Sequence, residues 1–165
     1  MPMDAIELLL HQHNEIRGLF NHYQQMQASA SPQQKRELTK KIIEKLMVHT
    51  YLENKCMYPM TRTLCPDLNS EVLESYQEHH VADVLAAELA ELSPEDERYD
   101  AKMTVLMESI LHHLQEEEQV LFPRVRSCID AQQLQEMGAQ MAALEAEAPR
   151  APSSALKKAV AAMSV

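Results

Sequence analysis

Two stretches of the chain repeat one set of potential metal ligands at one spacing: His49, Glu53, Tyr58 and Pro59, then His113, Glu117, Phe122 and Pro123. In both, the glutamate follows the histidine by four residues, the aromatic by nine and the proline by ten. A His and a Glu one helical turn apart share a face, as two side chains ligating one site must. A single histidine precedes each stretch, His13 lying 36 residues before His49 and His79 34 residues before His113. Two similar helix pairs related by a pseudo-two-fold would bring His13, His49, Glu53, His79, His113 and Glu117 to one centre. Six mixed nitrogen and oxygen donors without a cysteine suit iron best, because zinc more usually takes four ligands and calcium takes no imidazole. Two glutamates able to bridge point to two metal ions.

Helices are the elements that composition allows for positioning these side chains. Gly18 and Gly138 are the only glycines in 165 residues, too few for the tight turns of a β-sandwich or barrel, and no glycine-rich phosphate loop can be written with them. Hydrophobic residues at 45% and charged residues at 24% are ordinary globular usage. The length fits one domain with an appended element and buries enough surface to fold unaided. Asp4 with Glu7 opens a first helix that runs to about residue 27, and Ser31-Pro32 with Gln34 opens a second that runs to about residue 57, just before Pro59. A third helix is expected from about 71 to 92. A fourth follows the Ser93-Pro94 cap, regular by Tyr99 and closed near Leu121 by Pro123. A fifth, from 130 to about 148, carries Leu134, Met137, Met141 and Leu144 on one stripe, and a loosely docked tail follows Pro149. The expected fold is all-α: an up-down-up-down four-helix bundle over residues 1–127, with the fifth helix and tail over 128–165.

Helical phase separates the eight histidines. His13 falls within the apolar stripe of Ile6, Leu9, Ile16, Phe20 and Tyr23. His49 and Glu53 fall within that of Leu38, Ile42 and Leu46, and His113 and Glu117 within that of Met103, Leu106, Ile110 and Leu114. His79 lies at the edge of a broad face formed by Ala82, Leu85, Ala86, Leu89 and Leu92, with His80 nearly opposite. His11, His22 and His112 point outward. One inward histidine is ordinary core, but a buried ionised glutamate costs several kcal/mol unless it is paired, protonated or bound to metal, and neither stripe offers a Lys or Arg.

At HNEIRGLF (His13), HTYLENKCMYP (His49), EHHVADVL (His79) and HHLQEEEQVLFP (His112–His113), the sequence resembles the hemerythrin-like, or HHE cation-binding, family over roughly residues 4–125. The resemblance implies a non-haem di-iron centre: two iron ions with an oxo or hydroxo bridge, Glu53 and Glu117 as bridging carboxylates, and His13 with His49 and His79 with His113 as terminal imidazoles. Other transition metals would also suit these donors. The oxygen-carrying hemerythrins place a fifth histidine one turn after the third-helix histidine, where this chain has Asp83. Reaction with, or sensing of, O2, NO or peroxide in a stress response is therefore expected over simple oxygen carriage. An iron or gas sensor acting through a partner is the alternative, as is reversible O2 binding. The four-residue His-to-Glu spacing argues against ferritin-type Glu-x-x-His sites.

The balance of 15 basic and 25 acidic residues, a formal charge of −10, argues against nucleic-acid and anionic-membrane partners. No apolar run reaches membrane-spanning length. The N-terminal stretch lacks the basic start of a signal peptide, and Cys56, Cys65 and Cys128 form no CxxC. A cytoplasmic protein with reduced thiols is expected. The stripe of the fifth helix would offer a surface for a second copy or another partner.

Overall fold

The computed structural model describes residues 2–163. Four long helices form the body: α1 (Ala5–Met26), α2 (Pro32–Leu52), α4 (Asn69–Glu91) and α5 (Tyr99–Glu116), with α3 (Tyr58–Leu64) continuing α2 and α6 (Phe122–Cys128) continuing α5. The C-terminal region adds α7 (Ala131–Leu144) and α8 (Ser154–Met163). Among the described residues there is no strand. The Asp4–Glu7 and Ser31–Gln34 capping boxes form as their spacing implies, and Asp130 with Gln133 makes a third at the head of α7.

The bundle alternates up and down, as the make-up of its two apolar cores shows. One core joins the start of α1 (Ile6, Leu9), the end of α2 (Leu52), the start of α4 (Val72) and the far end of the α5–α6 rod (Leu121, Phe122, Val125). The other joins the opposite ends: Ile16 and Phe20, Leu38 and Ile42, Ala86 and Leu89, Met103 and Leu106. Between them lies a buried polar layer of His13, His49, Glu53, His79, His113 and Glu117.

The second and fourth helices do not stop at their prolines. A π-turn at Glu53–Met57 and another at Glu117–Leu121 carry each rod past Pro59 and Pro123, on to Leu64 and Cys128. Proline supplies no N–H and crowds the carbonyl four residues back. Widening the turn absorbs both problems, so the rods continue where a plain helix would break. The longer rods bring Cys65 and Cys128 to a Cα separation of 6.0 Å, within disulfide range, and the two are bonded. Those thiols are therefore not reduced, and the cysteine ground for a reducing compartment falls away. Cys56 alone is free, and it is buried.

The C-terminal region is also more ordered than expected. Leu134, Met137 and Met141 of α7 are buried in the core that contains Leu9 and Leu52, so that stripe is covered within the chain and offers no partner surface. At Gly138 a Cβ would stand 2.4 Å from the Met3 carbonyl oxygen, so glycine is what lets α7 lie against the head of α1. The expected loose tail is a helix: α8 packs on α4, with Val160 buried.

Candidate metal centre

The layer between the two cores gathers all six expected ligands. All four histidines and both glutamates are at most 2% exposed. His11, His22, His80 and His112 lie at the surface, so α4 turns His79 inward and His80 out. Two donor clusters share one glutamate. His13, His49, Glu53 and Glu117 form the first, and Glu53, His79 and His113 the second. The rings pair accordingly, with centroids 5.0 Å apart for His13–His49 and 4.7 Å for His79–His113.

The Nε2 atoms converge on the carboxylates. Glu53 Oε2 lies 3.1 Å from His79 Nε2, 3.4 Å from His49 Nε2 and 3.9 Å from His113 Nε2. Glu117 Oε2 lies 3.2 Å from His13 Nε2 and 3.6 Å from His113 Nε2. Proximity does not satisfy these groups, because His13 Nε2, His49 Nε2, Glu53 Oε1 and Glu117 Oε2 have no hydrogen-bond partner although fully buried. Orphaned inward atoms on four of six donors are a costly arrangement for a plain core and a fitting one for cations.

The other side of three of the four rings is hydrogen-bonded. His13 Nδ1 meets Glu118 Oε1 at 2.7 Å, His49 Nδ1 meets Gln12 Oε1 at 3.0 Å, and His79 Nδ1 meets Asn54 Oδ1 at 2.8 Å. His113 Nδ1, which has no hydrogen-bond partner, stands 3.5 Å from Glu78 Oε1. An acceptor at Nδ1 leaves Nε2 as the lone-pair nitrogen that faces inward. These four residues obey the internal repeat: Gln12 and Glu78 precede the single histidines, and Asn54 and Glu118 follow the glutamates. Each histidine pair thus has one ring beside a carboxylate and one held by a carboxamide. Arg17 clamps Glu118 with bonds of 2.7 and 3.1 Å. None of the four was apparent from helical phase alone, since only their places beside the repeated ligands mark them.

The sequence marks Tyr58 only as the aromatic of the repeat, yet its hydroxyl reaches the centre. It donates to Glu117 Oε1 at 2.7 Å, with His79 Nε2 at 3.2 Å and Glu53 Oε2 at 3.3 Å. In an α-helix five residues turn the chain roughly 140° past a full circle, which would aim Tyr58 away from Glu53. The π-turn brings it back over the glutamate, with its N–H bonded to the Glu53 carbonyl. Asp83, one turn after His79, is half-buried and belongs to neither cluster.

Burial and charge divide the titrating groups. Burial drives His49 down to about 3, against the pull of Glu53. Burial opposes protonation of His13 and His113 as well, but Glu117 and its neighbouring carboxylates outweigh it and raise both. The carboxyl groups split. Burial resists ionisation of Glu53, yet His49, His113 and His79 hold it well below the usual range, while burial and the Glu53 charge raise Glu117.

The family described as the hemerythrin HHE cation binding domain matches residues 4–125, most of the chain. The chain belongs to that family. A crystal structure of a hemerythrin HHE cation-binding domain-containing protein from Mycobacterium kansasii superposes with a TM-score of 0.73 at 20% identity, covering 88% of this chain and 86% of that one. A curated relative named DNA nickase, from Nostoc sp., is 23% identical over 145 residues, and the match spans 88% of this chain but 40% of that protein. As an HHE domain the chain is a cation-binding helical bundle, and its His/Glu clusters are where a cation can be held. Among the described residues no helix is long and apolar enough to cross a membrane.

Proposed function

We propose that this HHE domain holds two iron ions and reacts with O2, NO or peroxide at the half of the centre that contains Tyr58. His13, His49, Glu53 and Glu117 would hold one ion, and His79 and His113, with Glu53 shared, the other. The observation that carries this reading is the set of inward orphaned nitrogens and carboxylate oxygens whose outer partners are already in place. Bound iron supplies the redox and diatomic-binding chemistry that these side chains lack.

The remaining chemistry belongs to the chain. The two apolar cores wall off the layer from water. Glu53, kept anionic by the imidazoles, balances cationic charge for both sites. Burial keeps the Tyr58 hydroxyl protonated as a hydrogen-bond donor, its hydrogen on Glu117 Oε1 and its oxygen close to Glu53 and His79. Phe122 occupies the equivalent place in the other half and offers His13 only a stacked ring at 5.6 Å. A small ligand that needs a hydrogen-bond donor is therefore favoured beside His79 and His113.

Anaerobic reduction followed by exposure to O2, NO, azide or peroxide tests the proposal. Rapid autoxidation in air and ready spectral changes with NO and azide are expected. Reversible uptake and release of O2 over hours would make the protein a carrier and overturn the reading.

A further inference from the structure

Away from the metal layer, the second apolar core opens to the surface in a cavity of about 200 Å³. Leu89 and the fully buried Tyr99 belong to that core and line the cavity, which the segment before α8 closes over. The charged residues that line it are all cations (Arg36, Lys40, Arg150 and Lys157) in a chain whose formal charge is −10. The balancing carboxylates lie outside the lining: Glu44 meets Arg150 at 3.0 Å and Glu91 meets Lys157 at 3.2 Å. Arg36 donates to the Leu92 carbonyl at 3.3 Å, and Lys40 enters no ion pair among the described residues. Two cations therefore face the cavity without an acidic partner.

An apolar chamber with a purely cationic charged lining complements one kind of guest. We infer that this cavity binds a small organic monoanion, a carboxylate head held by Lys40 and Arg36 with an apolar body of roughly ten non-hydrogen atoms or fewer lying against Leu89 and Ala90. Burial raises the Tyr99 phenol, against the opposing pulls of a Thr39 hydrogen bond and of Arg36, so its hydroxyl keeps its proton and can donate to the anion. The inference is independent of the metal centre: the cavity lining includes none of the six candidate ligands and none of their outer partners.

Octanoate supplies both features, 1-octanol supplies the body without charge, and acetate supplies the charge without the body. Binding to the metal-loaded full chain is read by calorimetry and by amide NMR shifts at residues around the cavity. Saturable octanoate binding is expected, at least tenfold tighter than 1-octanol or acetate. Ala90→Trp, which fills the cavity, should abolish it. Lys40→Glu, at an exposed position, should weaken it at least tenfold, with helicity and metal content unchanged in both variants. Absence of saturable binding overturns the inference. So do equal affinities for octanoate and 1-octanol, which indicate an apolar crevice only, and binding unaffected by either variant, which places the anion elsewhere.

Discussion

The two halves of the buried layer come from one repeated pattern, and they differ most at a single atom. In the half with His13 and His49, the repeat's aromatic is Phe122, stacked on His13. In the half with His79 and His113, it is Tyr58, stacked on His79 at 5.3 Å with its hydroxyl on Glu117. The outer partners keep the symmetry of type, each half having one imidazole beside a carboxylate and one on a carboxamide, but only Glu118 hydrogen-bonds its histidine and carries an arginine clamp. Ligand type and spacing thus come from the repeat, while the chemical difference between the halves comes from one hydroxyl placed by a π-turn. A set of candidate ligands can be duplicated while its surroundings diverge.

The largest effect should come from removing what the halves share. Glu53 lies in both donor clusters, so Glu53→Ala should lose most of the metal from both sites. His79→Ala should deplete the second site first, as metal analysis would show. If Glu53→Ala empties one site alone, the halves are independent. Chelation acts on both at once. Metal at a thousandfold over its Kd contributes about 4 kcal/mol, on the order of 10 °C in melting temperature for a domain of this size. Equal melting temperatures with and without metal would contradict a site built for cations. Glu118→Gln and Glu78→Gln, which leave only carboxamides beside the four rings, should weaken metal binding by about 10- to 100-fold without emptying the site. Competition with a chelator of known affinity measures this.

A smaller effect separates the halves directly. Tyr58→Phe leaves the buried Glu117 carboxyl without its donor and should destabilise the metal-free protein by about 1–3 kcal/mol in urea unfolding. Phe122→Tyr buries an unmatched hydroxyl beside His13 and should cost a similar amount without creating a second reactive half. The pH dependence should reverse on metal removal. His13 and His113 are raised above the unfolded value of about 6.5, so their stabilisation of the metal-free protein is full below that pH and is lost as pH rises through their folded values. His49, depressed to about 3, acts oppositely, its contribution being lost as pH falls from about 6.5 towards 3. The chelated protein should therefore melt at lower temperature as pH rises above 6.5. The metal-loaded protein should instead weaken as pH falls below about 6, because protonated imidazoles cannot ligate.

Much of this layout was legible in the sequence. The capping boxes at Asp4 and Ser31 depend on local residues, and the apolar stripes on a fixed period, so helix phase brought His13, His49 and His113 inward without tertiary information. The prolines misled because a π-turn, which has no compositional signature, lets the chain continue through Pro59 and Pro123. That one local event also hid the aim of Tyr58 and the meeting of Cys65 with Cys128. Gln12, Asn54, Glu78 and Glu118 sit beside the candidate ligands rather than on their stripe, and their contacts depend on how neighbouring helices approach.

Anaerobic titration of the chelated, reduced protein with ferrous iron tests the shared six-residue centre most directly, with bound iron counted per chain. Two equivalents should bind in the unmodified protein and in His112→Ala, whose side chain lies outside the layer, and fewer in His113→Ala. A single equivalent in the unmodified protein, or loss in His112→Ala with retention in His113→Ala, would contradict the assignment.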